Sequence, residues 1–516
     1  MHRPYPRPRP RSGHTQTRLL GAAALVLALA ACSSAPAPDA LSSTGDAPAG
    51  TPGAVSPTGG SLLVSQNAAG PAGAPGSQAT TTAATVRGQA GSTGSAGSTG
   101  PAGGPAAGGP AAGGPAGTGP AGGGSGAAGG STLFSGAANI SGLTPTSLTM
   151  CAHAALTYGK AFNTTDNDLN VFWTALNTEK GGVQGRQVTV TYENDNYDPA
   201  TAVTAATACE AKGIFMLLGG IGFDQIPAVR NWAEQHQMLY LHHTATTNGS
   251  AGLKYSFTEL PSVERMGDGF AQLAIARYAG SRIGIVERSS PNWKPGAEHF
   301  KAAAKQANLN VVADVPVNDK QGNYTNEILA LKNAGAETVF LWENALNSTE
   351  FLKQAKAQMY SPHYLMFPFN LTSQTLGNDA MQPPLDGVAM YPAYSKGDYE
   401  GGFAAYADDM RQFEAQYAKY DPGVDLSGNG GDLLFLNWTA QKALAVQLDA
   451  CGRDCTRNRF IDTLQSYDAK PTSAACVLDF TRGDGHHGAD GLNFMQTYVS
   501  PSGKVNWRNT QTCVRP

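Results

Sequence analysis

Seven cysteines and two histidine pairs are the residues of this 516-residue chain whose types could carry chemistry. Cys32 stands alone near the start, while Cys151, Cys209, Cys451, Cys455, Cys476 and Cys513 form an even set further on. An even set in an oxidising compartment points to disulfides, and six thiols allow 15 connectivities. Proximity along the chain favours Cys151–Cys209, Cys451–Cys455 and Cys476–Cys513. A structural zinc site is the rival reading, and the set lacks the paired C-x-x-C knuckles it would need. His242-His243 closes an expected strand, whereas His486-His487 lies between Gly485 and Gly488. Neighbours on a strand point to opposite faces, so neither pair is expected to hold a metal. His242 or His243 is expected to line a pocket, and the glycine-flanked pair to form an exposed loop. No Walker loop, His-Glu-x-x-His helix or Gly-x-Ser-x-Gly elbow is present. Gly219-Gly220-Ile221-Gly222 is glycine-rich but lacks the G-x-G-x-x-G spacing, so a dinucleotide site is not expected. Its backbone N–H groups, at a helix start, could grip an anionic group. No catalytic residue, cofactor or metal is assigned on these grounds.

The segments around these residues divide the chain. Five arginines between Arg3 and Arg18 precede the apolar stretch Leu19–Ala31, a signal-peptide core too short to span a bilayer, which takes about 20 residues. Leu29-Ala30-Ala31-Cys32 resembles the lipobox of bacterial lipoproteins. That resemblance implies cleavage before Cys32 and diacylglycerol on its thiol, with the multiple chains that stable anchoring takes. From there to residue 133 the chain is Ala, Gly, Pro, Ser and Thr with very few charges. Such a segment cannot bury enough apolar surface to offset its ordering entropy, and it reads as a disordered tether reaching roughly 55 Å. Residues 134–516 are then the folded part, too long for one simple core and suited to two lobes. The net charge of -4 carries no basic excess, so nucleic acid is not an expected partner.

In the folded part, short apolar runs alternate with amphipathic stretches. Expected strands at 147–156, 187–193, 214–218 and 238–242 interleave with helices at 166–180, 198–212 and 225–236. Asp198-Pro199 opens a helix with a cap and a proline at the first helical position. The rhythm repeats with strands at 282–287, 310–317, 338–342 and 364–367. Helices at 403–420, 433–449 and 457–466 complete the pattern. The order predicts an α/β fold of two doubly wound lobes with parallel sheets. Ligands of such sheets bind beyond the carboxyl ends of the strands.

Several stretches carry a family resemblance. Asp198–Val203, the glycine turn after Met216, the segment Leu239–Thr246, and Gly181-Gly182-Val183-Gln184-Gly185-Arg186 together resemble the extracellular solute receptors of ABC importers. The nearest group is the branched-chain amino-acid and amide receptors, with the type I periplasmic-binding fold. The resemblance covers roughly residues 145–515. It implies lobe 1 at about 145–260 and 393–468, lobe 2 at about 261–392 and 469–516, and a three-segment hinge. It implies solute contacts at Phe223 and Asp224, carboxylate contacts at Thr244 and Thr246, an aromatic wall at Trp293, and further contacts at Asn344 and Phe369. The partners implied are a small-molecule solute, the membrane permease of an ABC importer, and the membrane through Cys32. The receptor is expected to be monomeric.

Phe367-Pro368-Phe369-Asn370 departs from the amino-acid receptors, which carry an acid there to hold the ligand ammonium. Either the cleft takes an aromatic or partly apolar solute, or Glu343 or Asp224 supplies the acid. The expected function is capture of an amino acid, amide or aromatic acid for import. A sensor on the same fold, or a cell-wall enzyme, are the other readings.

Overall fold

The computed structural model describes residues 132–157, 164–220, 222–242, 252–318, 321–368, 385–427, 430–466, 470–472, 476–481, 486–489, 491–501 and 503–516. The expected signal segment, Cys32 and almost all of the tether lie outside them, as do His243, Thr244, Thr246 and Phe369.

The first sheet has strand order β2-β1-β3-β4-β5, with β1 Ser147–Ala154, β2 Gln187–Asn194, β3 Leu217–Gly219, β4 Tyr240–His242 and β5 Ser256–Thr258. All its pairings are parallel. Helices α1 (Asp166–Lys180), α2 (Pro199–Glu210) and α3 (Gln225–His236) connect its strands. Local chemistry sets their ends. Thr165 and Asp168 form a reciprocal capping box on α1, and Gly181 closes that helix with a left-handed φ of 74°. Asp198 caps α2 through the Thr201 amide, with Pro199 at the first helical position.

The second sheet runs β14-β13-β10-β9-β8-β6-β7. Its parallel part comprises β6 (Arg282–Arg288), β7 (Asn310–Val317), β8 (Thr338–Trp342), β9 (His363–Met366) and β10 (Asp386–Ala389). Helices α4 (Val263–Tyr278), α5 (Lys294–Gln306), α6 (Thr325–Asn333) and α7 (Ala345–Ala357) accompany it. Three further helices follow, α8 (Ala407–Tyr420), α9 (Gly431–Cys451) and α10 (Arg457–Ser466), then the hairpin β11 (Lys470–Thr472) and β12 (Cys476–Leu478). The antiparallel strands β13 (Leu492–Val499) and β14 (Val505–Val514) extend the second sheet.

The chain therefore passes between the sheets three times: after β5, after β10 and before β13. Helices α8 to α10 return to the first sheet. Asn437 and Gln441 of α9 both donate to the Leu169 carbonyl of α1, at 3.0 and 2.8 Å. Arg457 of α10 donates to the Phe215 and Ile214 carbonyls, both at 2.7 Å. Strands β5, β10 and β11 to β14 are elements the periodic pattern did not mark.

The cysteines pair as proximity predicted. Cys151–Cys209 ties β1 to α2, Cys451–Cys455 closes the end of α9, and Cys476–Cys513 joins β12 to β14, with Cα separations of 5.5, 5.3 and 5.3 Å.

Candidate functional site

The glycine turn after β3 delivers Phe223 and Asp224 to the start of α3. Gly220 sits where an added Cβ would lie 2.5 Å from the His153 carbonyl, and Gly222 holds a φ of 134° that side chains rarely adopt. Asp224 occupies the cap position of α3 yet makes no side-chain capping bond. Its carboxylate instead reaches the loop after β6. It accepts from Ser290 Oγ at 2.6 Å, Asn292 Nδ2 at 3.1 Å and Trp293 Nε1 at 3.3 Å. The Arg288 guanidinium lies 3.4 Å from it and 3.7 Å from Glu343 Oε1. Asp224 thus spends on the opposite lobe the acceptors that a capping aspartate normally gives its own helix.

Phe223 follows the same path. Its ring lies 4.5 Å from Trp293 and 5.6 Å from Phe367. Trp342 completes the cluster, 4.6 Å from Phe367, and its indole donates to the Trp293 carbonyl at 2.7 Å. Arg288 lies over the Trp293 ring at 5.2 Å. Such aromatic contacts add to the burial of the rings themselves. A loop of the first lobe and three strand ends of the second are therefore locked ring on ring and charge on charge.

The structure thus brings Phe223, Asp224 and Trp293 together. Asn344 lies at the end of β8 beside Glu343, but its side chain caps α7 by accepting from the Asn347 amide at 2.9 Å. Glu343 is fully buried, and its Oε1 accepts from the Asn344 amide at 2.7 Å. Both acids that could replace the missing ammonium contact are engaged with Arg288. The histidines need correction at one point. His486 is not in an exposed loop: it is buried, stacks on Phe257 at 4.3 Å and meets the Ser256 carbonyl at 2.8 Å. His242 is buried and lies 5.1 Å from the Tyr240 ring. No group of three or more potential metal ligands occurs among the described residues.

A cavity of about 90 Å³ lies beyond the carboxyl ends of β1 and β3, in the first lobe. His153, Ala154, Leu218 and Gly219 line it from the sheet, Leu169 and Tyr192 from the side, and Leu433, Leu436, Asn437, Ala440 and Gln441 from α9. His153 belongs to a fully buried chain: Nδ1 meets Asp195 Oδ2 at 2.9 Å and Nε2 meets the Tyr240 hydroxyl at 2.8 Å. A carboxylate only accepts, so Nδ1–H of His153 points at Asp195, and Nε2 shares the second hydrogen bond with the Tyr240 hydroxyl. Burial, and then the charge of Asp195, raise the Tyr240 pKa well above its ordinary value, which keeps that hydroxyl protonated.

No residue pattern signals this cavity. α9 reads as a helix apolar on most of its circumference, which marks burial and not a void. Asp195 and Tyr240 meet His153 only because β2 and β4 lie in one sheet with β1.

The model of the periplasmic binding protein family matches residues 170–503. The chain belongs to that family. Among solved structures, this periplasmic binding protein is similar to a fatty acid ABC transporter substrate-binding protein from Thermomonospora curvata, with a TM-score of 0.61, 16% identity, and 73% of this chain and 95% of that one covered. It is also similar to a solute-binding protein of an ABC transporter from Rhodopseudomonas palustris in complex with 3,4-dihydroxybenzoic acid, at TM-score 0.58 and 12% identity, covering 72% and 98% of the two chains. A branched-chain amino acid ABC transporter protein from Thermus thermophilus with bound valine gives 0.56 and 15%, covering 72% and 98%. In sequence, it is 22% identical over 162 residues to the Leu/Ile/Val-binding protein homolog 3 of Brucella melitensis, a match spanning 31% of this chain and 44% of that relative. These likenesses show the type I periplasmic-binding fold: two α/β lobes, each built on a largely parallel sheet. Among the described residues, no helix is long and apolar enough to cross a membrane.

Proposed function

We propose that this periplasmic binding protein is a lipid-anchored receptor on the extracytoplasmic face of a bacterial membrane. It captures an amino acid, an amide or an aromatic or partly apolar acid between its lobes and delivers it to the permease of an ABC importer. The observation that carries the reading is the span from Phe223 and Asp224 on one lobe to Trp293, Arg288 and Ser290 on the other. Two lobes joined by three chain crossings, with polar and aromatic groups meeting across the gap, suit a hinge that closes over a solute. The proteins of similar fold named for fatty acid, dihydroxybenzoate and valine bracket the solute classes. Thr244, Thr246 and Phe369 complete the proposed contacts, and Cys32 supplies the anchor. An anchored receptor works at raised effective concentration beside its permease. Receptor work needs no bond-making residue, and the reading assigns none.

A thermal-shift screen of the full chain against amino acids, amides and aromatic acids tests this. A solute at 100-fold excess over its Kd adds about 2.7 kcal/mol of stability. Trp293→Ala is expected to abolish the shift and Trp293→Phe to retain part of it. An unchanged shift in Trp293→Ala removes that residue from the site, and no shift with any solute removes the receptor reading.

A further inference from the structure

We infer that Phe223 and Asp224 act as an internal ligand of the second lobe, filling an aromatic box and a carboxylate cradle that an aryl carboxylic acid takes when the lobes part. The inference rests on the receptor reading and makes its solute an acid whose carboxylate the second lobe holds.

The cradle is built around one carboxylate. Asp224 Oδ1 accepts from Ser290 Oγ at 2.6 Å and from Asn292 Nδ2 at 3.1 Å, and Oδ2 accepts from Trp293 Nε1 at 3.3 Å with the Arg288 guanidinium at 3.4 Å. Each oxygen thus meets two partners, and all of them come from the stretch 288–293. A carboxylate only accepts, and a charged acceptor makes the stronger bonds, so this set of donors with a cation favours an acid over its amide. The box lies beside it. The Phe223 ring stands 4.5 Å from Trp293, 5.6 Å from Phe367 and 6.3 Å from Trp342, the range in which ring pairs attract. One ring and one carboxylate on adjacent residues carry the chemistry of an aryl acid.

The second lobe holds its half of the contact by its own bonds. The Ser289 amide donates to the Val317 carbonyl at 2.9 Å, and the Trp293 and Lys294 amides both donate to the Ser290 carbonyl at 3.0 Å. The Trp342 indole donates to the Trp293 carbonyl at 2.7 Å, and Glu343 lies 3.7 Å from Arg288. Cradle and box are therefore set before closure, which lowers the ordering cost of taking a guest. The occupants come instead from the glycine turn of the first lobe, and Asp224 forgoes capping α3 to reach across. Its side chain keeps 17% of its surface exposed, so it sits at the solvent edge of the contact. A solute carboxylate replaces Asp224 charge for charge and leaves Arg288 between two anions as before.

The test is titration calorimetry on the full chain with benzoate, phenylacetate and 3-phenylpropionate, each beside its amide. The tightest acid is expected to bind at least about tenfold more tightly than its amide, since its contacts are charge-assisted. Asp224→Asn weakens the internal ligand and should tighten the acid by about tenfold, because apparent affinity rises with the fraction of competent receptor. Phe223→Ala empties the box and should tighten the acid as well. Arg288→Gln should bring acid and amide to within about twofold of each other. Ser290→Ala with Asn292→Ala reads the same preference if Arg288→Gln does not fold, and circular-dichroism melts decide which variants fold. Equal affinity for acid and amide in both wild type and Asp224→Asn overturns the inference. Weaker acid binding in Asp224→Asn also overturns it, since Asp224 is then a solute contact and not a competitor. The receptor reading survives both results. It also survives if a compound of the wider solute screen binds and no aryl acid does, which overturns the inference alone. If no compound of this panel or of the wider screen binds, both fall.

Discussion

At the scale of single residues, what decides a side chain's role here is which partner it has been given. Asp224, expected to touch solute, stands at the cap position of α3 and is used as a cross-lobe acceptor. Asn344, expected to touch solute, is used as a cap. Neither exchange is visible in the residue types, because an aspartate and an asparagine accept from a nearby amide or a distant donor equally well. Asp432, in the first turn of α9, shows the same dependence on surroundings. Its Oδ1 is buried without a partner, and burial pushes its carboxyl up to about 6, against the smaller opposing pull of the Asp432 and Leu433 amides. A raised carboxyl favours the protonated form in the fold. Its contribution is present below the unfolded value near 3.8 and is lost as pH rises through about 6. Asp432→Asn is therefore expected to raise the melting temperature at pH 7 and to leave it nearly unchanged at pH 4. Equal shifts at the two pH values would show that Asp432 does not titrate in that window.

At the scale of elements, the parallel strands and most helices of both lobes are readable, and the short or antiparallel strands of each are not. β1, α1, β2 and α2 came from alternation, helical spacing and the Asp-Pro start, which are local signals. β5 and β10 are three and four residues long and buried on both faces, so they carry no period to read. β13 and β14 pair antiparallel with a register shift at Phe494, which blurs their alternation. The disulfides tie distant elements. Cys151–Cys209 closes a separation of 58 residues between β1 and α2. Chain-entropy reasoning gives it about 4 kcal/mol. Cys151→Ala with Cys209→Ala should lower the urea midpoint by a corresponding amount and raise the m-value, since the freed unfolded chain exposes more surface. A midpoint unchanged within error would mean that the bond adds nothing to the native state.

At the scale of the whole molecule, the lobes are held by the Phe223–Trp293 contact and the bonds of Asp224. Asp224→Ala removes acceptors for Ser290, Asn292, Trp293 and Arg288 at once. Truncating one partner of a buried, hydrogen-bonded charge group typically costs several kcal/mol, enough to move a hinge equilibrium. Solute-free Asp224→Ala should show a larger radius of gyration by small-angle scattering, and a radius equal to wild type would assign closure to other contacts. The anchor is tested separately. Cys32→Ser is expected to move the chain from the membrane fraction to the medium, and persistence in the membrane fraction would refute lipidation at that thiol.

The sequence by itself determined the lobed α/β class, the family and the order of most elements, because each rests on periodicity, caps and short motifs within a few residues of one another. It left the cysteine pairing open among 15 connectivities, and the structure shows the one that proximity along the chain favoured. Only the tertiary structure decided that Phe223 packs on Trp293, that Arg288 stands between Asp224 and Glu343, and that a cavity opens under α9. Those residues lie tens to hundreds of positions apart. A void or an unpaired atom is a property of what fails to fill a space, and no local pattern of residues records it.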